Sequence, residues 1–346
     1  MMSKSSNHSK RVTIKDVAQA AGVSVTTVSN ALNQRTEAMT QETLQRIQEA
    51  IQALNYRPSS VARSLVTNQT ATIGLIISEI ETPLFLQALS VIEPAVRAAE
   101  YSLIYCTARS LDDEQQAVNL LLEKRVDGII FLSTSVYLDD DYLLDLLPTA
   151  PPIVIINRTI SHTEFDQIHW DNTNGTINAI DHLVEQGHQH IAFMRGPDTR
   201  RSSEERYNGY QMALKKHGLP YRDEYVVTGD YETTAPDWER ATLDLLALSP
   251  RPTAILASND IVASVVLRTV QRAGLRIPAD ISIIGNDNQP FSAYSNPALT
   301  TVEAPVIESG RRAIAMLLKR MGSSNADVQH VTLPCPLILR ESSGPV

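Results

Sequence analysis

From Thr72 onward, short apolar runs end in polar side chains that can donate and accept hydrogen bonds. TIGLII is followed by Ser78, Glu79 and the group Pro83, Leu84, Phe85; SLIYC by Thr107; GIIFL by Ser133; IVII by Asn157 and Arg158. Further on, HIAFM is followed by Arg195, AILA by Ser258, Asn259 and Asp260, and ISIIG by Asn286, Asp287 and Asn288. Planar amides and carboxylates bridge neighbouring hydroxyls, and rings such as Phe85 and Tyr231 can stack on a sugar face. The chemistry implied is reversible recognition of a small polyhydroxylated molecule. Nothing resembling GxGxxG, GxxxxGKS, GxSxG or HExxH occurs, so no familiar catalytic constellation is present and no enzyme is expected. The stretch Gly187, His188, Gln189, His190 carries two imidazoles without other clustered ligands; Gly187 more simply ends a helix and His190 opens a strand, so no metal or other cofactor is expected.

The elements that must position these residues follow from the apolar pattern. Between the runs lie amphipathic stretches, among them 85–99, 112–124, 140–147, 174–186, 204–217, 237–248 and 260–273. Strand and helix alternating in this way predict βαβ units, a parallel sheet and helices on both of its faces. The alternation runs twice, predicting two doubly wound parallel-sheet subdomains, at 71–168 and 169–298, with the C-terminal segment crossing back over both. Open sheets of this kind bind ligands beyond the carboxyl ends of their strands, where the polar residues fall. Asp260 is expected to N-cap the helix after AILA.

The first seventy residues differ in kind. Ile14, Val17, Ala18 and Ala21 recur at helical spacing, Gly22 provides a turn, and Ser24 can cap a second helix from Val25 to Leu32. A third helix, capped by Thr40, presents Leu44, Ile47, Ile51 and Leu54 on one face. A helix-turn-helix places the N-terminal side chains of its second helix against base edges in a DNA groove, here Val25, Thr26, Ser29 and Asn30. Formal net charge is −9 over 346 residues, but it is unevenly placed. Residues 1–69 hold eight basic side chains (Lys4, Lys10, Arg11, Lys15, Arg35, Arg46, Arg57, Arg63) against four acids (Asp16, Glu37, Glu42, Glu49), a net +4. The remainder therefore carries −13. A basic head on an acidic body confines phosphate attraction to the head.

The head also carries a specific resemblance. VTIKDVAQAAGVSVTTVSNALN is similar, almost residue for residue, to the DNA-binding headpiece of the LacI/GalR family of bacterial transcription regulators, and the likeness extends over nearly the whole chain. It implies an all-α helix-turn-helix headpiece joined to an α/β periplasmic-binding-protein-like core. The expected organisation is a flexible arm at 1–11, a DNA-binding domain at 12–57, a hinge helix and linker at 58–70 and an effector-binding and dimerisation core at 71–346. By resemblance Val25, Thr26 and Asn30 occupy the specificity positions, within a DNA-contacting set of Thr13, Val25, Thr26, Thr27, Ser29, Asn30, Ala62 and Leu65. Ala62 and Leu65, in NYRPSSVARSL, would enter the minor groove from a hinge helix too short to be stable alone. Where many members carry Arg or His, this chain has Asn30, whose amide prefers adenine rather than guanine.

The resemblance likewise assigns effector contacts to Phe85, Ser133, Asn157, Arg206, Tyr231, Asn259 and Asp287. Arg206 precedes a Gly-aromatic pair in ERYNGY; Asn157 stands where many members have Asp; Ala304 stands near where sugar-binding members offer Gln. The implied function is a homodimeric repressor of a carbon-source operon, possessing pseudo-palindromic operator DNA and a sugar or sugar derivative as partners, and pairing of dimers is compatible with it. A nucleobase or sugar acid is the alternative effector, and a transporter's solute-binding component the remote alternative function. Cys106 and Cys335 show no metal spacing and read as thiols of a reducing cytoplasm. The N-terminal MMSKSSNHSKR has no apolar signal core, and no run of about 18 apolar residues follows.

Overall fold

The computed structural model describes residues 12–32, 35, 39–56, 69–78, 83–132, 141–158, 160, 163–198, 200–230, 235–323 and 326–346. The chain divides into two compact units, Met1–Thr70 and Ala71–Val346.

The first unit contains α1 (Ile14–Ala21), α2 (Val25–Leu32) and α3 (Gln41–Ala53). Asp16 accepts hydrogen bonds from the Thr13 backbone N–H (2.7 Å) and hydroxyl (2.8 Å), tying the chain before α1 to its first turn. Gly22 ends α1 at φ +67°, a conformation that costs a residue with a Cβ. The Thr27 backbone N–H donates to Ser24 Oγ (3.1 Å) and that of Thr43 to Thr40 Oγ1 (3.2 Å), so both expected caps form. Val17, Ala18, Ala21, Val28, Ile47 and Ala50 make the buried core of this small unit.

The second unit is α/β with two six-stranded sheets. The first lobe contains β1 (Thr72–Ile77), α4 (Pro83–Ala98), β2 (Ser102–Thr107), α5 (Leu111–Glu123), β3 (Gly128–Leu132), α6 (Asp141–Leu146), β4 (Ile153–Ile156) and β5 (Asp166–Asp171). The second contains α7 (Asn172–Glu185), β6 (Ile191–Arg195), α8 (Arg201–Lys216), β7 (Val226–Thr228), α9 (Ala235–Leu246), β8 (Ala254–Ala257), α10 (Asp260–Arg272), β9 (Ser282–Asp287) and β10 (Thr300–Glu303). The chain then returns to the first lobe with α11 (Val306–Gly322) and β11 (His330–Pro334), and ends in the second with β12 (Leu337–Ile338). Sheet orders are β11-β5-β4-β3-β1-β2 and β12-β10-β9-β8-β6-β7, every pairing parallel except β10 with β12.

Two boundaries differ from expectation. The lobe division at 168/169 falls inside β5, which pairs with β4 and β11, so the first lobe runs to Asp171. The second lobe, expected to close at 298, also takes in β10 and β12. Alternation of apolar runs cannot say which sheet a strand joins; pairing partners decide that. The returning helix α11 is fixed to the first lobe by Trp170 Nε1–H donating to Ser309 Oγ (2.7 Å) and by Arg320 on Asp166 (3.0 Å). Its Leu317 packs so closely on β3 that a Cβ at Gly128 would stand 2.9 Å from it.

The hinge helix with Ala62 and Leu65, and the residues Glu79, Ser133 and Tyr231, lie outside the described residues.

Candidate DNA-reading face and effector cleft

On α2 the side chain of Val28 is buried while Val25, Thr26 and Asn30 are exposed and Ser29 is half-buried. Positions 25, 26, 29 and 30 lie along one side because neighbours three and four apart, here 25 and 29, 26 and 29, and 26 and 30, adjoin on a helix surface. A valine left 40 % exposed at the start of a helix whose own core position is filled by Val28 offers an apolar contact, the type that suits a thymine methyl. Thr27 is used differently: half-buried, its hydroxyl hydrogen-bonds Ser24 Oγ (2.8 Å) within the cap.

In the second unit, Arg206 lies buried on α8, one turn after the buried Ser203. Its Nη1 donates to the carbonyl of Ser258 at the end of β8 (2.6 Å) and its Nη2 to Asp287 Oδ1 at the end of β9 (3.2 Å). Asp287 Oδ1 also accepts from Asn286 Nδ2 (2.9 Å). Burial raises the pKa of the Asp287 carboxyl above its ordinary value; the Arg206 guanidinium and the Asn286 amide oppose that rise. Asp287 and Asn288 have φ of +110° and +51°, a left-handed bend that turns the chain sharply out of the sheet. Arg206, Ser258 and Asp287 are thus brought together from three elements, as strand-end convergence requires.

The helix cap expected at Asp260 is supplied by Asn259 instead. Asn259 is the cap: its Oδ1 accepts the Val262 N–H (2.8 Å). Asp260 is instead fully buried, its Oδ2 accepting from the Gln289 N–H (2.7 Å) and Ser292 hydroxyl (2.6 Å) and its Oδ1 from the Thr301 hydroxyl (2.5 Å). Sequence places both residues at the helix start; only packing against the loop after β9 turns the second inward. Burial, with the nearby Asp287, pushes the Asp260 carboxyl up to about 7 despite those three donors.

In the first lobe, Asn157 follows β4 with φ +51° and is buried. Arg158 beside it is taken up by a buried ion pair, its Nη1 2.8 and 2.9 Å from the Glu114 oxygens, and Tyr142 O–H also donates to Glu114. Phe85 is only 2 % exposed within the apolar core that includes Leu84, Ala88 and Ile92, so the ring assigned to stacking is already covered by protein.

Eight buried side-chain polar atoms have no hydrogen-bond partner among the described residues: Ser78 Oγ and Asn157 Nδ2 after strands of the first lobe, Ser258 Oγ after a strand of the second, Ser203 Oγ on α8, His190 Nδ1, and the Nε atoms of Arg195, Arg206 and Arg222. Buried groups of this kind are nearly always satisfied, so the three at strand ends, Ser78, Asn157 and Ser258, with Ser203 on the helical face of Arg206, mark a candidate place for an external partner. Ser203 was not among the residues singled out by sequence. Its spacing of three from Arg206, on one helical face, was the available signal.

Of the two histidines of 187–190, His188 has a structural account, while His190 Nδ1 is buried without a hydrogen-bond partner among the described residues. His188 is buried, its Nδ1 2.9 Å from Thr253 Oγ1 and its Nε2 3.1 Å from Ser282 Oγ and 3.0 Å from the Gly344 carbonyl. Among the described residues no group of three or more His, Cys, Asp or Glu is placed to hold a metal ion, and no helix is long and apolar enough to cross a membrane.

Comparison with known proteins agrees with both halves. Residues 13–59 match the bacterial regulatory proteins of the lacI family, and residues 180–343 match the periplasmic binding protein-like domain. The chain is 34 % identical over 333 residues to the HTH-type transcriptional repressor PurR of Photobacterium profundum, covering 95 % of this chain and 98 % of that protein. It is 36 % identical over 337 residues to the repressor of the same name from Pectobacterium carotovorum subsp. carotovorum, covering 95 % and 96 %. Among solved structures it is similar to the Lac repressor dimer bound to operator and the anti-inducer ONPF, with a TM-score of 0.86, 29 % identity and coverage of 97 % of this chain and 100 % of that one. It is also similar to the transcriptional regulator CelR in complex with cellobiose, with a TM-score of 0.70, 27 % identity and coverage of 96 % and 100 %. The chain belongs to the LacI family of bacterial regulatory proteins and is a DNA-binding transcriptional repressor of that family.

Proposed function

We propose that this repressor controls a carbon-source operon and that its operator affinity is set by a small neutral, hydroxyl-rich molecule, a sugar or sugar derivative, bound between the two lobes. The observation that carries this reading is the set of unpartnered buried groups, Ser78, Asn157, Ser203 and Ser258, contributed by both lobes. Three are hydroxyls and one is an amide, and each can pair with a ligand hydroxyl, as can the Nε–H of the Arg206 guanidinium beside them. Arg206 and Asp287 largely neutralise each other across 3.2 Å, so the charged members of the site favour no net ligand charge. Asn259, whose Oδ1 caps α10, belongs to the same assignment. Ser133 and Tyr231 remain part of the assignment by resemblance to the family.

The protein acts as a cytoplasmic homodimer whose two headpieces read the half-sites of a pseudo-palindromic operator, with Ala62 and Leu65 of each hinge entering the minor groove. Ligand binding and DNA binding are reciprocal: a ligand that weakens operator binding is itself held more weakly by the operator complex. The second reading, a nucleobase effector, is favoured by the 34–36 % identity to repressors named PurR.

A thermal-shift panel of sugars, sugar phosphates, sugar acids and nucleobases separates the two. A ligand at about 100 times its dissociation constant adds roughly 2.7 kcal/mol of stability. The sugar reading expects a neutral sugar to raise the midpoint, to shift operator affinity, and to lose both effects in Asp287→Ala. A response confined to nucleobases overturns it in favour of the second reading.

A further inference from the structure

The lobes are joined covalently by three crossovers, β5 to α7, β10 to α11 and β11 to β12. Remote from all of these in sequence, a side-chain hydrogen bond also joins them. Gln87 on α4 of the first lobe donates through Nε2 to Oε1 of Gln289, in the loop after β9 of the second, at 3.0 Å.

The two ends of this bond are differently held. Gln87 stands on a helix and is half-buried. Gln289 is 2 % exposed, and its own N–H is anchored by Asp260 Oδ2 (2.7 Å). Asp260 also holds Ser292 of the same loop and Thr301 of β10. The neighbouring Asn288 is pinned between Glu303 (2.8 Å) and Arg340 (2.6 Å). The second-lobe end of the bridge is therefore a preformed receptor and the first-lobe end a single amide that can leave it. A neutral side-chain hydrogen bond contributes only a modest net free energy, which suits a contact that must break and reform when two lobes move.

We propose that Gln87 and Gln289 form a clasp that biases the two lobes toward a closed arrangement, and that Asp260 is the positioning residue that presents Gln289 to it. The clasp acts in the ligand-free protein, so it stands apart from the identity of the effector. A ligand that draws the lobes together works with the clasp, and one that wedges them apart works against it.

The test is a distance measurement between spin labels on the two lobes, at Arg97→Cys on α4 and Arg240→Cys on α9, whose side chains are 73 % and 78 % exposed. The background carries Cys106→Ser. Cys335 is buried, with its thiol pushed up to about 12, and does not take the label. Labelled subunits are diluted with unlabelled ones so that distances within one subunit dominate. Gln87→Ala, a change to the best helix former, is expected to raise the ratio of long to short distances about two- to tenfold, the range of one neutral hydrogen bond. Gln87→Ala combined with Gln289→Ala is expected to add nothing further, because both remove the same bond. Asp260→Asn is expected to reproduce the shift; where that variant does not fold, the Gln87 variants carry the test. Distance distributions of Gln87→Ala and the double variant superimposing on the parent overturn the clasp. A parent-like Asp260→Asn beside a shifted Gln87→Ala overturns the positioning role. A failed sugar panel touches neither result.

Discussion

Replacing Arg206 by methionine tests the cleft most directly. The substitution keeps a long unbranched side chain while removing the guanidinium that serves Asp287 at 3.2 Å and the Ser258 carbonyl at 2.6 Å. Both members of the pair are buried, with side chains 6 % and 12 % exposed, so screening by solvent is slight. Breaking one side of a buried pair costs about 3–5 kcal/mol, because the partner charge is left without compensation. For a unit the size of the two-lobed core, about 2 °C per kcal/mol gives a fall in Tm of about 6–10 °C.

The pH dependence carries the sharper test. The Asp287 carboxyl is already raised by burial, and Arg206 is the largest influence opposing that rise, so its loss moves the carboxyl further up. An acid whose folded value lies above its unfolded value loses stability as pH climbs between the two. At low pH, folded and unfolded variant both hold the proton and the variant suffers least; at high pH the folded variant must carry a buried, poorly paired charge. The Tm gap between parent and Arg206→Met, measured by calorimetry in matched buffers, is therefore expected to widen from pH 5 to pH 8. A gap that stays constant over that range refutes the electrostatic account and leaves only lost packing.

Other perturbations separate the remaining parts. Asp260→Asn is expected to lower Tm by disturbing three hydrogen bonds while flattening its pH dependence. With the parent carboxyl pushed up to about 7, the parent loses stability as pH rises from about 4 to 7, and unfolding across that window shows whether the variant does too. Gly209→Ala would place a Cβ 2.5 Å from the Thr173 carbonyl oxygen, where α8 crosses α7; overpacking of about 1–3 kcal/mol outweighs the roughly 1 kcal/mol gain in helix propensity, and denaturant titration should show net loss. Asn30→Ala is expected to relax base preference in each half-site, and an unchanged consensus from a selection experiment removes its reading role. Leu65→Ala is expected to weaken operator binding more than nonspecific binding, since a wedge acts on a bent site; equal loss on both DNAs ends that assignment.

Where the alternation of apolar runs was strict, sequence placed the elements within a few residues: the helix expected at 112–124 forms at Leu111–Glu123, and that at 260–273 at Asp260–Arg272. Starts were placed less well. The helix expected from Glu204 begins at Arg201, three residues that bring Ser203 onto the same face as Arg206 and hence into the site. A helix start is set by caps and local packing, which leave a weaker trace than a repeating apolar face.

What sequence determined by itself was local and periodic: the helix-turn-helix with its caps at Ser24 and Thr40, the basic head, the twofold strand-helix alternation, and the polar residues at strand ends. These depend on neighbours a few residues apart, where spacing fixes geometry. Tertiary structure alone decided the rest. It assigned β5, α11 and β11 to the first lobe, turned Asp260 inward and left Asn259 as the cap. It paired Arg158 with Glu114 and covered Phe85 with core. It also brought Gln87 within 3.0 Å of Gln289 across 202 positions of chain. Each of these outcomes depends on partners distant in sequence, and no periodic pattern encodes which distant surface a given side chain will meet.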